Sequence, residues 1–537
     1  MTRQALFAAL CALALGLAAR NPQVARHFDG QSWWASVKFL ADDSLEGRET
    51  GSEGLRKAES YVVDQFTKAR LQPAGTNGFY QPVKFVSRQI VEKDSSASLI
   101  VSGKTEPLTL GEDAYFATRA ELSPDEVTAS LAFVGYGLKV PEKNYDDLAG
   151  QDLQSKIVVY LAGSPADIPT ALASHYQTIG ERWKSLKQAG VIGVITIPNP
   201  ASMDIPWSRM SLNRAHPSMD LADPEFNETQ GMKMAMTFNP AEAEKLFAAS
   251  GHKFAEIAAL GKDRQPLPRF PLNVSLKAHA SVSTNPVESA NIIGKLPGND
   301  PTLKNEYVVI SAHVDHIGIG EPVNGDRIYN GAMDNASGVA ALIDLAAQFN
   351  AHSEQLRRSI LFVIVTAEEK GLLGSKYFAA HPTVPSKSMI ADINLDMFLP
   401  IVPIKVLKVP GLQESDLGDR AREAAQLFGV RVQPDPEPLR NVFIRSDQYN
   451  FIRHGIPALK LDFGYEPGSP EQKIFKDWLT KRYHAPSDDT SQPVDIAAAG
   501  LFEDIVRQLL ISVANTDAKP QWKPDSFFRR YATEATN

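Results

Sequence analysis

The sequence predicts an α/β protein: a mostly parallel, mixed sheet flanked by helices, with a second, β-rich module inserted into it. Three observations lead there. From about residue 286 onward, apolar runs of strand length alternate with stretches of helical periodicity, as in a parallel sheet covered on both faces. Residues 126–285 differ, with short strands broken by turns and a long polar stretch rich in Pro and Met. The chain also has 537 residues, more than one hydrophobic core ordinarily supports.

The elements follow in order. MTRQALFAALCALALGLAAR begins with Arg3, continues as an apolar run from Ala5 to Leu17 and reaches small residues at Ala18 and Ala19. This reads as a secretory signal over 1–19, with a secreted or periplasmic destination. The run is shorter than the roughly 20 residues of a membrane span. No other stretch is long and apolar enough, so no stable membrane insertion of the mature chain is expected. Cys11 is the only cysteine, and without the signal no disulfide can form, which leaves a large core or metals to supply stability.

Residues 20–125 read as the N-terminal part of the main domain. Trp33, Val37 and Leu40 share one helical face, and Leu55, Ala58, Val62 and Phe66 share another. Between them Gly47-Arg48-Glu49-Thr50-Gly51 forms a loop that either lines a site or merely connects. In the module at 126–285, LAFVGYG, KIVVYLAG and VIGVITIPNP read as strands, and IGERWKSLKQAG and AEAEKLFAAS as helices. His175, His216 and His252 have no partners there at ligand spacing and read as surface or capping residues. Over 286–516, EYVVISA, ILFVIVTA, MIADINLDM and PALKLDFG read as strands. ASGVAALIDLAAQFNA, DRAREAAQLFG and DIAAAGLFEDIVRQLLISVA read as helices. Residues 517–537 are left as a tail.

Apolar and charged contents of 43% and 22% are those of an ordinary globular protein. A net charge of −8 argues against a nucleic-acid surface.

Chemistry concentrates at the ends of the predicted strands. ILFVIVTA runs into Glu368 and Glu369, adjacent carboxylates that repel unless a positive charge sits between them. His313 follows EYVVISA, Asp334 precedes a helix in NGAMDNASG, Asp396 ends the strand in NLDM, and His484 lies in the loop KRYHAPSDD. Strand ends are where α/β proteins bind ligands. Taken singly each residue is ordinary: an Asp before a helix caps it, and paired Glu residues suit a helix start. Together, two histidines and three carboxylates supply ligands for two divalent ions. The charge of two Zn²⁺ ions would be balanced by Asp334, Glu369, Asp396 and one hydroxide, so the cluster is buriable.

The set SAHVDHIG, NGAMDNASG, TAEEKGLLGS, NLDM and YHAPSDD, in that order, resembles the M28 family of zinc aminopeptidases and carboxypeptidases. DDSLEGRETGSEG is similar to the start of bacterial members, and the inserted module resembles a protease-associated domain. The resemblance implies the zinc-aminopeptidase (phosphorylase/hydrolase-like) fold and two Zn²⁺ ions per chain. His313 and Asp396 would hold one ion, Glu369 and His484 the other, and Asp334 would bridge them. Glu368 would be the general base acting on a metal-bridged water. Asp315 would hydrogen-bond His313 and fix its tautomer, and Tyr483 would steady the oxyanion. His316 is expected to be a packing or supporting residue, and Ser446 an N-cap.

The activity implied is a secreted exopeptidase, most readily an aminopeptidase acting on peptides with a free N-terminus. A carboxypeptidase of the same family would need a cationic pocket, to which Arg48, Arg440 and Arg445 are the candidates. A single-zinc cyclase is weighed against by the retention of His313 and Asp396. A non-enzymatic, receptor-like ectodomain is weighed against by the complete ligand set. Aromatic and aliphatic residues in the loops at 441–444 and 463–469 mildly favour an apolar residue at the cleaved position.

Overall fold

The computed structural model describes residues 25–118, 120–351 and 355–534; the expected signal at 1–19 lies outside them. Two eight-stranded sheets organise the chain. The first runs in the order Ser218–Leu221, Tyr80–Ile90, Val282–Leu296, Ser359–Val365, Tyr307–His313, Met389–Asn394 and Ala458–Lys460, with Gln72–Pro73 also paired to Val282–Leu296. The last four of the seven strands in that path are mutually parallel. The remaining pairings are antiparallel. The sheet is therefore mixed, and its parallel half is the half that carries the candidate site.

The central strands Tyr307–His313 and Ser359–Val365 are buried at every residue. Their alternate side chains enter two different cores. Ile310 and Phe362 join the large cluster beneath the helices Gln31–Leu40, Glu53–Lys68, Ser337–Ala351 and Ile496–Asn515, while Val309 and Val363 face the opposite layer. A strand covered on both faces has no polar alternation, which is why these segments read as unbroken apolar runs. The indole N–H of Trp33 donates to the Ser337 carbonyl at 3.0 Å and ties the first helix to the start of Ser337–Ala351.

The second sheet orders Lys104–Pro107, Ser96–Val101, Arg269–His279, Val127–Val134, Ile157–Leu161, Gly193–Ile197, Met234–Phe238 and Ala114–Phe116 around its own core. It begins about thirty residues before the expected boundary at 126, because Ser96–Val101 pairs with Arg269–His279 across a separation that local patterning cannot show. Nor is the module closed. Ser218–Leu221 leaves it to pair with Phe85–Arg88 at the edge of the first sheet. The expected helix AEAEKLFAAS is reduced to Glu244–Phe247. His175 is buried, not superficial, with Nδ1 at 3.2 and 3.0 Å from the hydroxyls of Tyr449 and Tyr531. The tail is packed as well: Phe528 is fully buried, and the Trp522 N–H donates to the Gly455 carbonyl at 3.0 Å. Among the described residues no helix is long and apolar enough to cross a membrane.

Register decides what meets at the sheet edge. His313 pairs with Val365, and Ser311 with Asn394. His313, Glu368, Glu369 and Asp396 thus emerge together at the carboxyl ends of adjacent parallel strands, the crevice where such sheets bind ligands.

Gly374, in the helix Leu373–Ala380, lies directly on the strand end that carries the two glutamates. A Cβ there would stand 2.0 Å from the Thr366 carbonyl oxygen and 2.6 Å from Asn291 Oδ1. Gly374→Ala is expected to cost about 1–3 kcal/mol by overpacking, read as a lower urea midpoint with an unchanged denaturant slope.

Candidate metal centre

The site is assembled from loops whose backbones are individually pinned. Beyond the strand Ser359–Val365 the chain turns through Ala367, at φ 55°, and presents Glu368 and Glu369. Their amide N–H groups donate to Asp315 Oδ1 at 3.0 Å and Oδ2 at 3.3 Å, and the Thr50 hydroxyl also donates to Oδ2 at 3.2 Å. Asp315 was expected to hold His313 through its carboxylate. Instead the carboxylate stands 3.9 Å from Nδ1, and its own carbonyl oxygen makes the contact at 3.1 Å. The carboxyl group is already committed to the two glutamate amides. The consequence for His313 is the same. A carbonyl only accepts, so Nδ1 carries a proton and Nε2 is the ring atom turned toward the site.

Asp334 lies in the irregular turn Ala332–Ala336 before the helix Ser337–Ala351. The amides of Met333 and Asp334 both donate to Asp488, at 3.0 Å to Oδ1 and 3.0 Å to Oδ2 respectively. Asp488 belongs to the loop that carries His484, so one carboxylate locks two ligand loops together. Asn335 does the same for a third. Its Nδ2 donates to the Leu395 carbonyl at 2.9 Å, and its Oδ1 accepts from Met397 N at 3.3 Å, on either side of Asp396.

Beneath these loops lies Arg48. It is buried and donates to the carbonyls of Leu40, Val314, Asn330 and Gly331. The glycine-flanked loop therefore supports the site from below. Arg48 was a candidate for a substrate pocket, but four carbonyls take four of its five N–H donors. Burial lowers its pKa to about 10 against the pull of Asp315, Asp488, Asp334 and Glu369, so it remains a cation at neutral pH.

These supports bring the expected side chains into two touching groups. In one, His313 Nε2 stands 3.3 Å from Asp334 Oδ1 and 3.5 Å from Asp396 Oδ1. In the other, His484 Nε2 stands 3.3 Å from Asp334 Oδ2 and 3.2 Å from Glu369 Oε2. Asp334 turns one oxygen toward each group. His316 joins the second, its Nδ1 2.7 Å from Glu369 Oε1. It is closer to the acidic cluster than a packing role requires.

The donor geometry fits cations. Ligand atoms of His313, Asp334 and Asp396 converge within 4.8 Å of one another, and so do those of His316, Asp334 and Glu369. His313 Nε2, His316 Nε2 and Asp396 Oδ1 are buried without a hydrogen-bond partner. Such orphaned atoms in a buried site need a partner, and an ion supplies one. Imidazole nitrogens with carboxylate oxygens form a donor set suited to zinc.

Electrostatics separates the two glutamates. Burial raises Glu368 well above the usual carboxylate range, and nearby Glu369 and Asp396 add to the rise against the opposing pull of His313. Burial acts on Glu369 too, but His484 and His316 outweigh it and hold that carboxyl well below its usual range. Glu368 belongs to neither convergent group and lines the adjoining cleft beside Tyr483. Burial, reinforced by the site carboxylates and opposed by Arg445, keeps the Tyr483 hydroxyl protonated far above neutrality. Ser446 does not cap its helix; its hydroxyl accepts from Asn394 Nδ2 at 2.6 Å.

Comparison with known proteins agrees with this arrangement. The model of "Peptidase family M28" matches residues 291–510. This segment belongs to peptidase family M28. The M28 segment contains all six residues of the two groups and Glu368. A stretch of 214 residues, 37% of this chain, is 29% identical to a probable leucine aminopeptidase 2 of Aspergillus oryzae and covers 40% of it. A shorter stretch, 112 residues and 21% of the chain, is 34% identical to a probable zinc metalloprotease of Pyrenophora tritici-repentis and covers 25% of it. The matched region thus spans less than half of either relative. The fold extends further than the M28 segment. An aminopeptidase from Aneurinibacillus sp. strain AM-1 superposes with a TM-score of 0.56 over 94% of this chain and 99% of its own, at 20% identity.

Asp488 was not singled out by the sequence, although it sits four residues beyond His484 in a quoted motif. Asp488→Asn replaces one accepting oxygen with a donor facing the Met333 and Asp334 amides. It is expected to weaken zinc binding by about 10–100-fold with an unchanged far-UV circular dichroism spectrum, measured by competition with a chromophoric chelator.

Proposed function

We propose that this chain is a secreted or periplasmic dizinc exopeptidase that removes N-terminal residues from peptides. The observation that carries the reading is the pairing of two cation-competent groups through Asp334, with one ionisable carboxyl, Glu368, beside them and outside both. His313 and Asp396 would hold one zinc, Glu369 and His484 the other, and Asp334 both. When bound, two zinc ions polarise a carbonyl and bring the pKa of water toward neutrality. The aminopeptidase name of a relative matched over 214 residues supports this choice of chemistry.

The protein's own groups do the rest. Glu368 takes a proton from the attacking water on its carboxylate and returns it to the leaving amine. Its place outside both cation groups leaves it free to hold that proton between the two steps. Tyr483, kept protonated, donates its O–H toward the oxyanion developing on the scissile carbonyl. Asp315 holds the backbone of both glutamates, so that Glu369 stays with the cations and Glu368 stays off them. The inserted module, on this reading a protease-associated domain, contributes Asp204 to the arginines lining the cleft.

Glu368→Gln is expected to lower kcat on an aminoacyl-nitroanilide by about 10²–10⁴-fold while metal content stays the same. Undiminished turnover would remove Glu368 from the mechanism. A paired panel of free-amine and N-acetylated peptides tests the exopeptidase direction. Acetylation should abolish cleavage, and cleavage that survives it would favour a carboxypeptidase or an endopeptidase.

A further inference from the structure

The second sheet has a ligand crevice of its own. Four of its strands, Val127–Val134, Ile157–Leu161, Gly193–Ile197 and Met234–Phe238, run parallel. Beyond the carboxyl ends of the middle two, starting at Gly163 and Asn199, lies an open cavity of about 580 Å³. That volume is in the range of small-molecule pockets, and the end of a parallel sheet is where such pockets form. It shares no lining residue with the cleft of the metal centre.

The charge in this cavity has one sign. Lys262 and Arg264 line it, and among the described residues no Asp or Glu does. Asp263, between them in sequence, lies outside the lining. Neither cation forms an ion pair among the described residues. Arg264 donates through Nε to the Ser164 carbonyl at 3.4 Å and through Nη2 to the Pro165 carbonyl at 3.0 Å, which leaves Nη1 without a partner. Lys262 makes no side-chain hydrogen bond to a described residue.

Neutral donors line the same space. Ser164 is only 4% exposed, and its hydroxyl stands 3.5 Å from Arg264 Nη2. The strand Ile157–Leu161 gives way to Gly163 at φ 131°, a backbone conformation that glycine alone adopts freely. The amides of Gly163 and Ser164 consequently leave the ladder and have no acceptor among the described residues. Gln177, Asn199 and Ser202 add amide and hydroxyl groups. Unpaired cations, free amides and hydroxyls with no acid among them are the parts of an oxyanion receptor. The volume is many times that of a bare ion, which takes up roughly the space of a water molecule, about 30 Å³. The ligand is therefore a polar molecule that carries the oxyanion.

We infer that the inserted module holds a second, non-catalytic site for a small polar molecule bearing a carboxylate or a phosphate, with Arg264 and Lys262 as its charged receptors. This site stands apart from the metal centre and does not depend on the peptidase reading.

The test is calorimetry on the zinc-loaded full chain. Inorganic phosphate is one probe, N-acetyl-glycylglycine is the carboxylate probe, and the C-terminal amide of the same peptide is its uncharged match. Both anions also have affinity for zinc, so each titration is repeated on Arg264→Gln and Lys262→Gln, which leave the metal centre untouched. At least one anion is expected to bind the native chain and to lose about tenfold in affinity in Arg264→Gln, as for a hydrogen bond to a charged group. A loss of about threefold is expected in Lys262→Gln, whose exposed ammonium is better screened. The amide should bind native chain and variants alike. The anion that shows the losses identifies the ligand's acidic group. Far-UV circular dichroism checks that Arg264→Gln is folded, and Lys262→Gln removes no contact of the free protein. Anion binding equal in the native chain and both variants would assign it to the zinc ions and overturn the site. So would the absence of binding by either anion at millimolar concentration.

Discussion

A shared carboxylate between two imidazoles is the interaction the site depends on. Asp334 directs Oδ1 at His313 and Oδ2 at His484, both at 3.3 Å, while Glu368, Glu369 and Asp396 close around it. So many acids in a buried pocket raise one another's pKa and resist ionisation together. Here the histidines and Lys460 keep Glu369 and Asp396 ionised despite their burial, and the strain of burial falls on Glu368. Divalent cations would complete the same balance and satisfy the buried atoms that now lack partners. On the proposed mechanism, the division between a glutamate that binds and a glutamate that moves a proton follows from their positions. They are neighbours in sequence, and only one of them faces the imidazoles of the second group.

Holding that carboxylate in place takes a scaffold of buried polar groups, each with a specific task. Asp315 fixes the glutamate pair, Asp488 joins the Asp334 and His484 loops, Asn335 joins Asp334 to the Asp396 loop, and Arg48 clamps the floor. Each satisfies backbone groups that would otherwise be orphaned in the interior. The register of the parallel strands supplies coarse placement, and these four side chains supply the fine placement. Activity should therefore be sensitive to changes well away from any atom that touches substrate, as expected of sites set to within a fraction of an ångström.

Much of this was legible in the chain itself. The buried strands at 307–313 and 359–365 and the helix at 337–351 announce themselves because their apolar periodicity is local. Most ligand candidates stand out because they flank such an element: His313, Glu368, Glu369 and Asp396 follow strands and Asp334 precedes a helix, whereas His484 lies in a loop. What could not be read was long-range. The module begins at Ser96 because that strand pairs with one near residue 275. Ser218–Leu221 looked like irregular polar chain because its partner lies in the other sheet. Arg48 read as part of a loop that either lines a site or merely connects, and as a candidate for a substrate pocket, since nothing nearby in sequence reveals the four carbonyls around it. The ion pairing of the cleft arginines was hidden for the same reason. Arg440 and Arg445 meet Asp204 from the inserted module, more than two hundred positions away, and Lys460 turns inward from a strand read as apolar.

The account stands on the claim that Asp334 serves two cations at once. Zinc titration of the metal-free protein and of Asp334→Ala, followed by calorimetry with elemental analysis of the dialysed product, addresses this directly. Two ions per chain in the native protein, with both sites weakened together by the single substitution, is the predicted result. One ion or none in the native protein, or two undiminished sites without Asp334, would contradict it.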